Sequence, residues 1–175
     1  MPNCPSAPGD RRPEPLQMRR TWRICYAVRM STIFTIGYEQ ATQASLVQSL
    51  RTARVELLAD IRYLPLSRRP GFSKNSLKAA VEEAGIAYSH FRHLGTPADG
   101  RAAARRGNHA ELERIYSGQL ELPEALAQMA ELRSLAERER IALLCYERRA
   151  AECHRSLLFD ALFADFERVD LEPEL

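Results

Sequence analysis

Apolar residues along the chain recur in two alternating rhythms. Ser31-Thr-Ile-Phe-Thr-Ile36 is short, rich in β-branched residues and bounded by Gly37, which predicts a strand. Ala44, Leu46, Val47 and Leu50 then fall at helical spacing and predict a helix over 41–53. The near-continuous apolar run 55–61 has the pattern of a strand buried on both faces of a parallel sheet. Ser73 or Asn75 caps a predicted helix that runs through Ala84 and stops at Gly85, and residues 86–89 make a third strand. The polar, Arg-rich stretch 90–108 reads as a long loop. Helical patterns follow at 109–117 and 123–138, the second entered through Pro123 at a tolerated first-turn position. Ile141-Ala-Leu-Leu-Cys145 is a fourth strand, and a last helix spans about 152–166. This βαβ alternation predicts an α/β fold: a single three-layer domain, over 30–175, with a mostly parallel sheet of about four or five strands covered by helices. Ligands of such sheets bind beyond the carboxyl ends of the strands.

Composition narrows the class. A chain of 175 residues, 45% hydrophobic and 27% charged, suits one globular domain. No apolar run approaches the roughly 18 residues of a membrane-spanning helix, and mean hydropathy is −0.36, so no membrane partner is expected. The net charge of +2 hides a division. Residues 1–29 form an Arg/Pro-rich extension, expected to be disordered because it has too few apolar groups to offset its ordering entropy. Met18 and Met30 are alternative starts. The extension lacks the apolar stretch of a secretory signal, and Cys4, Cys25, Cys145 and Cys153 make no disulfide framework, so a reducing, cytoplasmic setting is expected.

Charge and chemistry meet just past the strands. Segments 60–74, 90–106 and 145–155 hold eleven of the nineteen basic residues after position 30, against Asp60, Asp99, Glu147 and Glu152 alone. Such segregation favours an anion on that rim, since dispersed charge would serve solubility equally well. Cys145 ends a buried strand, while Cys153, His154 and Arg155 enter the last helix, where free N–H groups and the dipole favour an anion or a thiolate. Cys145 is thus a candidate nucleophile or a small buried hydrophobe, and both readings stay open. Glu147 and His154 are candidate acid–base groups. Asp60 and Arg62 alternate sides of a strand, so they share one ligand only if the strand has already ended. Ser67 and Arg68 lie in a Pro-bounded turn that could present amides to a phosphate, and His90 stands at a strand end. No metal or cofactor is expected, because Cys153 and His154, as chain neighbours, point in different directions and no ligand pair has zinc-site spacing.

Taken together, Thr35-Ile-Gly-Tyr38, Leu58-Ala-Asp-Ile-Arg62 with Pro65 and Ser67-Arg68, Phe72 with Leu77, Gly85-Ile-Ala-Tyr88, Leu94-Gly95, and Ala142-Leu-Leu-Cys-Tyr-Glu147 followed by Cys153-His-Arg155 resemble the domain of unknown function 488 family over about residues 31–165. The resemblance implies a compact α/β domain and groups Asp60, Arg62, Ser67, Arg68, Cys145, Glu147, Cys153, His154 and Arg155 in one site, without supplying an activity. Relatives continue into another strand, of which Val169-Asp170-Leu171 would be a shortened remnant. A fainter likeness to rhodanese and cysteine phosphatase domains stops at the loop after Cys145, which holds no glycine before Arg155.

The resulting expectation is a basic, cysteine-containing pocket at the strand ends, with Tyr38, Asp60, Arg62, Ser67, Arg68, His90, Cys153 and Arg155 about a phosphate-bearing ligand such as a nucleotide or a nucleic-acid end. The competing readings are a thiol enzyme using Cys145, a noncatalytic nucleic-acid-binding module, and a scaffold with a structural Cys/Glu/Arg network.

Overall fold

The computed structural model describes residues 31–174. The expected extension over 1–29 lies outside the described residues. The strands are β1 (Thr32–Gly37), β2 (Leu57–Asp60), β3 (Ala87–His90), β4 (Ile141–Cys145) and β5 (Glu167–Leu171). They form one all-parallel sheet in the order β3-β2-β4-β1-β5. The helices are α1 (Gln43–Thr52), α2 (Lys74–Glu83), α3 (Ala98–Arg105), α4 (His109–Leu120), α5 (Pro123–Ala136) and α6 (His154–Leu162).

Alternation along the central strands builds two cores. Phe34, Ile36, Leu58, Ala142 and Leu144 face α1 and α2, through Leu46, Leu50, Leu77 and Val81. Ile33, Leu57, Ala59, Ile141 and Leu143 face the other way, toward Tyr116, Leu120, Leu132 and Leu158 of α4, α5 and α6. The sheet is therefore the middle of three layers, as the βαβ rhythm predicts. Local signals set the helix ends. Thr42 and Ser45 exchange side-chain-to-backbone hydrogen bonds of 3.1 Å at the start of α1. Gly85, at φ +78°, releases the chain after α2.

Two expectations change. The stretch 90–108 is not a loop throughout: it holds a 3-10 turn over Arg92–Leu94 and the helix α3. Its signals were in the sequence, namely Asp99 in the first turn, the run Ala102–Ala104, and Gly107 at φ +69° after the end. The last helix stops at Leu162 rather than Phe166, because Phe163 and Phe166 turn into the core. That frees Glu167–Leu171 to pair with Thr32–Ile36 as a full edge strand rather than a remnant.

Topology then singles out one place. From the ends of β1 and β2 the chain goes to helices on one face, whereas from the end of β4 it goes to α6 on the other. The carboxyl end of β4 is accordingly the crevice where a doubly wound sheet takes its ligand.

Candidate functional site

Cys145 is the last residue of β4, and its neighbour on β1 is Gly37. The Glu147 carbonyl oxygen passes so close that a Cβ on Gly37 would stand 1.9 Å from it. Only glycine admits that approach, and Tyr38 N–H fixes it by donating to the Tyr146 carbonyl at 3.1 Å. A 3-10 turn over Ala150–Glu152 then leads to Cys153, the cap of α6. The Ser156 hydroxyl donates to the Ala150 carbonyl at 2.6 Å, and the Arg155 guanidinium donates to the Glu147 carbonyl at 2.6 Å.

This path folds four side chains onto one point. The ligand atoms of Cys145, Glu147, Cys153 and His154 all lie within 4.8 Å of one another. The Cys145 thiol donates to Glu147 Oε2 at 2.9 Å, and His154 Nδ1 stands 3.5 Å from Cys145 Sγ and 3.6 Å from Cys153 Sγ. His154 Nε2–H donates to the Ile61 carbonyl at 3.1 Å, so Nδ1 is the nitrogen turned to the sulfurs. The ring also packs edgewise on Tyr116 at 5.2 Å. Cys153 and His154, chain neighbours expected to point apart, instead turn to the same point. Cys153 is extended (φ −132°, ψ 151°) and His154 begins the helix, a change of backbone conformation that brings both side chains to the same side.

The cluster is electrostatically polarised. Burial opposes charge on Cys153, but the Cys145 thiol, the His154 imidazole and Arg155 outweigh it and hold its pKa well below the ordinary thiol value. Burial and the neighbouring Cys153 push Cys145 well up. Burial also opposes protonation of His154, yet the Cys153 and Glu147 charges raise it, and Glu147 is raised by burial and by Cys153. These directions favour charge on Cys153 and His154 and keep the proton on Cys145.

Glu147, Cys153 and His154 form the floor of a cleft of about 440 Å³, whose far wall is α3 and the start of α4, with Thr96, Arg101, Arg105 and His109. Arg101 is oriented by donating to the Thr96 carbonyl at 2.8 Å, while Arg105 and His109 are exposed. Arg101 and Arg105 belong to the basic segment 90–106 expected at the rim but were not assigned to the site individually, because α3 was read as loop; His109, the first residue of α4, was not singled out.

The other expected residues divide. Tyr38, Asp60, Arg62 and His90 form a second, adjoining network under the end of β2. The strand ends at Asp60, so the Arg62 side chain turns back onto it. Arg62 Nε and Nη2 donate to the Asp60 carboxylate at 2.8 and 2.5 Å, and Nη1 donates to the Tyr38 hydroxyl and the Phe72 carbonyl. The Tyr88 hydroxyl also donates to Asp60, and His90 Nε2 donates to the Arg62 carbonyl at 2.8 Å. Arg62 and Asp60 are both buried. Arg155 is buried too; it holds the 147–148 backbone in place, and its Nε has no hydrogen-bond partner. Ser67 accepts from the Arg69 N–H, Arg68 is exposed beside it, and neither lines the cleft. The structure thus brings Cys145, Glu147, Cys153 and His154 together, joins the Asp60 network to them through Ile61, and leaves the Ser67–Arg68 turn apart.

Residues 42–162 match the model of a family described as domain of unknown function DUF488, well over half of the chain. Neither the curated proteins nor the solved structures give a match.

Proposed function

The chain belongs to the DUF488 family, and from the cleft at the end of its central strand we propose that it binds a small phosphate-bearing molecule there. The observation that carries this reading is the convergence of Arg101, Arg105 and His109 on a concave wall facing Cys153 and His154. About 440 Å³ is within the range of small-ligand sites and suits a nucleotide-sized molecule. Arginines set on a helix give the fork geometry that phosphate oxygens accept. The buried Arg155 acts behind the site as a prop for the 147–148 backbone, and the buried Arg62 is taken up by Asp60, Tyr38 and Phe72. Arg101 is the orienting member, tied to Thr96, and Arg105 is the free-standing clamp.

Calorimetric titration of the full chain with pyrophosphate and with nucleoside mono- and diphosphates tests it. Binding should weaken with added salt, and Arg105→Ala should loosen it about tenfold, roughly 1.4 kcal/mol, without changing the melting temperature. No binding by any of these compounds, or an unchanged affinity in Arg105→Ala, would sink the proposal.

A further inference from the structure

A second property of the cleft floor does not depend on the anion reading. We propose that Cys145, Glu147, Cys153 and His154 bind one zinc-class divalent metal ion in a tetrahedral S2NO site. The donor set is of the kind zinc takes, and its geometry can be checked. Zinc–sulfur bonds of about 2.3 Å and zinc–nitrogen bonds of about 2.05 Å at a tetrahedral angle require a sulfur–nitrogen separation of about 3.6 Å. The separations from His154 Nδ1 are 3.5 Å to Cys145 Sγ and 3.6 Å to Cys153 Sγ. Glu147 Oε2 is 2.9 Å from Cys145 Sγ, a thiol hydrogen bond. An equivalent sulfur–oxygen edge is about 3.5 Å, so the carboxylate moves out by about 0.6 Å as the thiol proton leaves.

The surroundings are those of a metal site. His154 Nε2–H donates to the Ile61 carbonyl, which turns Nδ1 toward the sulfurs, where it can bind the ion once any proton on it leaves, and fixes the plane of the ring. Arg155 and the close passage over Gly37 hold the 147–148 backbone, and the Ser156–Ala150 bond holds the turn before Cys153. The ligands are therefore set by rigid supports rather than by a mobile loop. Cys145, Cys153 and His154 are all at least nine-tenths buried. A single cation at their centre would pair with both thiolates and the carboxylate and replace the protons they otherwise need. The cleft supplies a path for the ion to enter, since Glu147, Cys153 and His154 line it.

The experiment uses the full chain with Cys4 and Cys25 replaced by serine, stripped with a chelator under reducing conditions. Zn2+ should bind with one ion per chain. Co2+ should give the intense d–d absorption of a tetrahedral site and a thiolate-to-cobalt charge-transfer band. Cys153→Ser and Cys145→Ser should each about halve the charge-transfer band, and the double substitution should abolish it. Glu147→Gln, half-buried and isosteric, should keep the fold and lower Zn2+ affinity by about 10–100-fold. Melting curves of each stripped variant show whether it folds. Absence of stoichiometric Zn2+ binding, a Co2+ spectrum indifferent to Cys153→Ser, or a Cys145–Cys153 disulfide that persists in place of metal binding would overturn the proposal. Arg105→Ala should leave Zn2+ affinity unchanged. Pyrophosphate binding that survives in a chain unable to bind Zn2+ would fail this proposal alone, whereas Zn2+ binding without any phosphate binding would fail the other alone.

Discussion

Asp60 and Arg62 are buried charges two residues apart, and their worth lies in each other. The bidentate pair also takes in the Tyr38 and Tyr88 hydroxyls, so removal of one partner leaves several groups unmatched. Asp60→Ala should cost about 3–5 kcal/mol in urea denaturation, because it strands a buried guanidinium. The double substitution Asp60→Ala/Arg62→Met should recover much of that loss. Phosphate affinity in the folded fraction of Asp60→Ala should be unchanged, because neither Asp60 nor Arg62 lines the cleft. At Gly37 the constraint is space rather than charge. A Cβ 1.9 Å from the Glu147 carbonyl forces β1 and the loop after β4 apart. Gly37→Ala should therefore lower the melting temperature and release the cysteine cluster together, read as faster alkylation of Cys145 and Cys153. The role of these residues was only partly legible in the sequence. Their positions at strand ends could be read; that Arg62 folds back onto Asp60, rather than out to a ligand, depends on where β2 stops.

At the scale of elements, the helices and strands that the apolar rhythm predicts are present, and the misses share a cause. α3 carries its buried surface on Gly100 and Ala103, too small to register as an apolar stripe among its arginines. β5 was obscured because its residues, three of the five charged, are half-buried or exposed at the sheet edge rather than forming a continuous apolar run. At the helix ends, Ser73 takes the N-cap position of α2 as expected but makes no side-chain capping bond, whereas the capping pair at α1 was not read from the sequence. The reciprocal Thr42–Ser45 bonds make Thr42→Ala a clean test, with an expected loss of about 1 kcal/mol in chemical denaturation and no change in ligand binding. The four residues of the cysteine cluster were candidates from the sequence, but their convergence as one donor set was not legible there. The four donors come from β4, the loop after it and the first turn of α6, and their convergence rests on one extended residue before a helix.

Across the whole molecule, the edge strand β5 is tied to β1 by the Thr35 hydroxyl, which donates to Asp170 at 2.8 Å, and Asp170 also accepts from Arg168. Burial opposes the Asp170 charge, but those hydrogen bonds outweigh it and hold its pKa below the ordinary 3.8. A lowered carboxylate pKa stabilises the fold above the unfolded value and loses that contribution as pH falls through the folded one. The melting temperature should thus drop as pH falls below about 4, and Thr35→Val or Asp170→Asn should flatten the drop. An unchanged slope in both variants would remove Asp170 from the acid response. Among the described residues no helix is long and apolar enough to cross a membrane.

The strand order β3-β2-β4-β1-β5 also governs when the molecule can exist. β1 and β2, though early in the chain, are never neighbours; β4 lies between them. Until residue 145 is in place, β1 has neither of its partners, and the N-terminal segments can pair only as β2 with β3. Insertion of β4 is a long-range event that closes a loop of about a hundred residues. Because Cys145 terminates that strand, the joining of β1 to β2 and β3 and the placing of the first residue of the cluster are the same event.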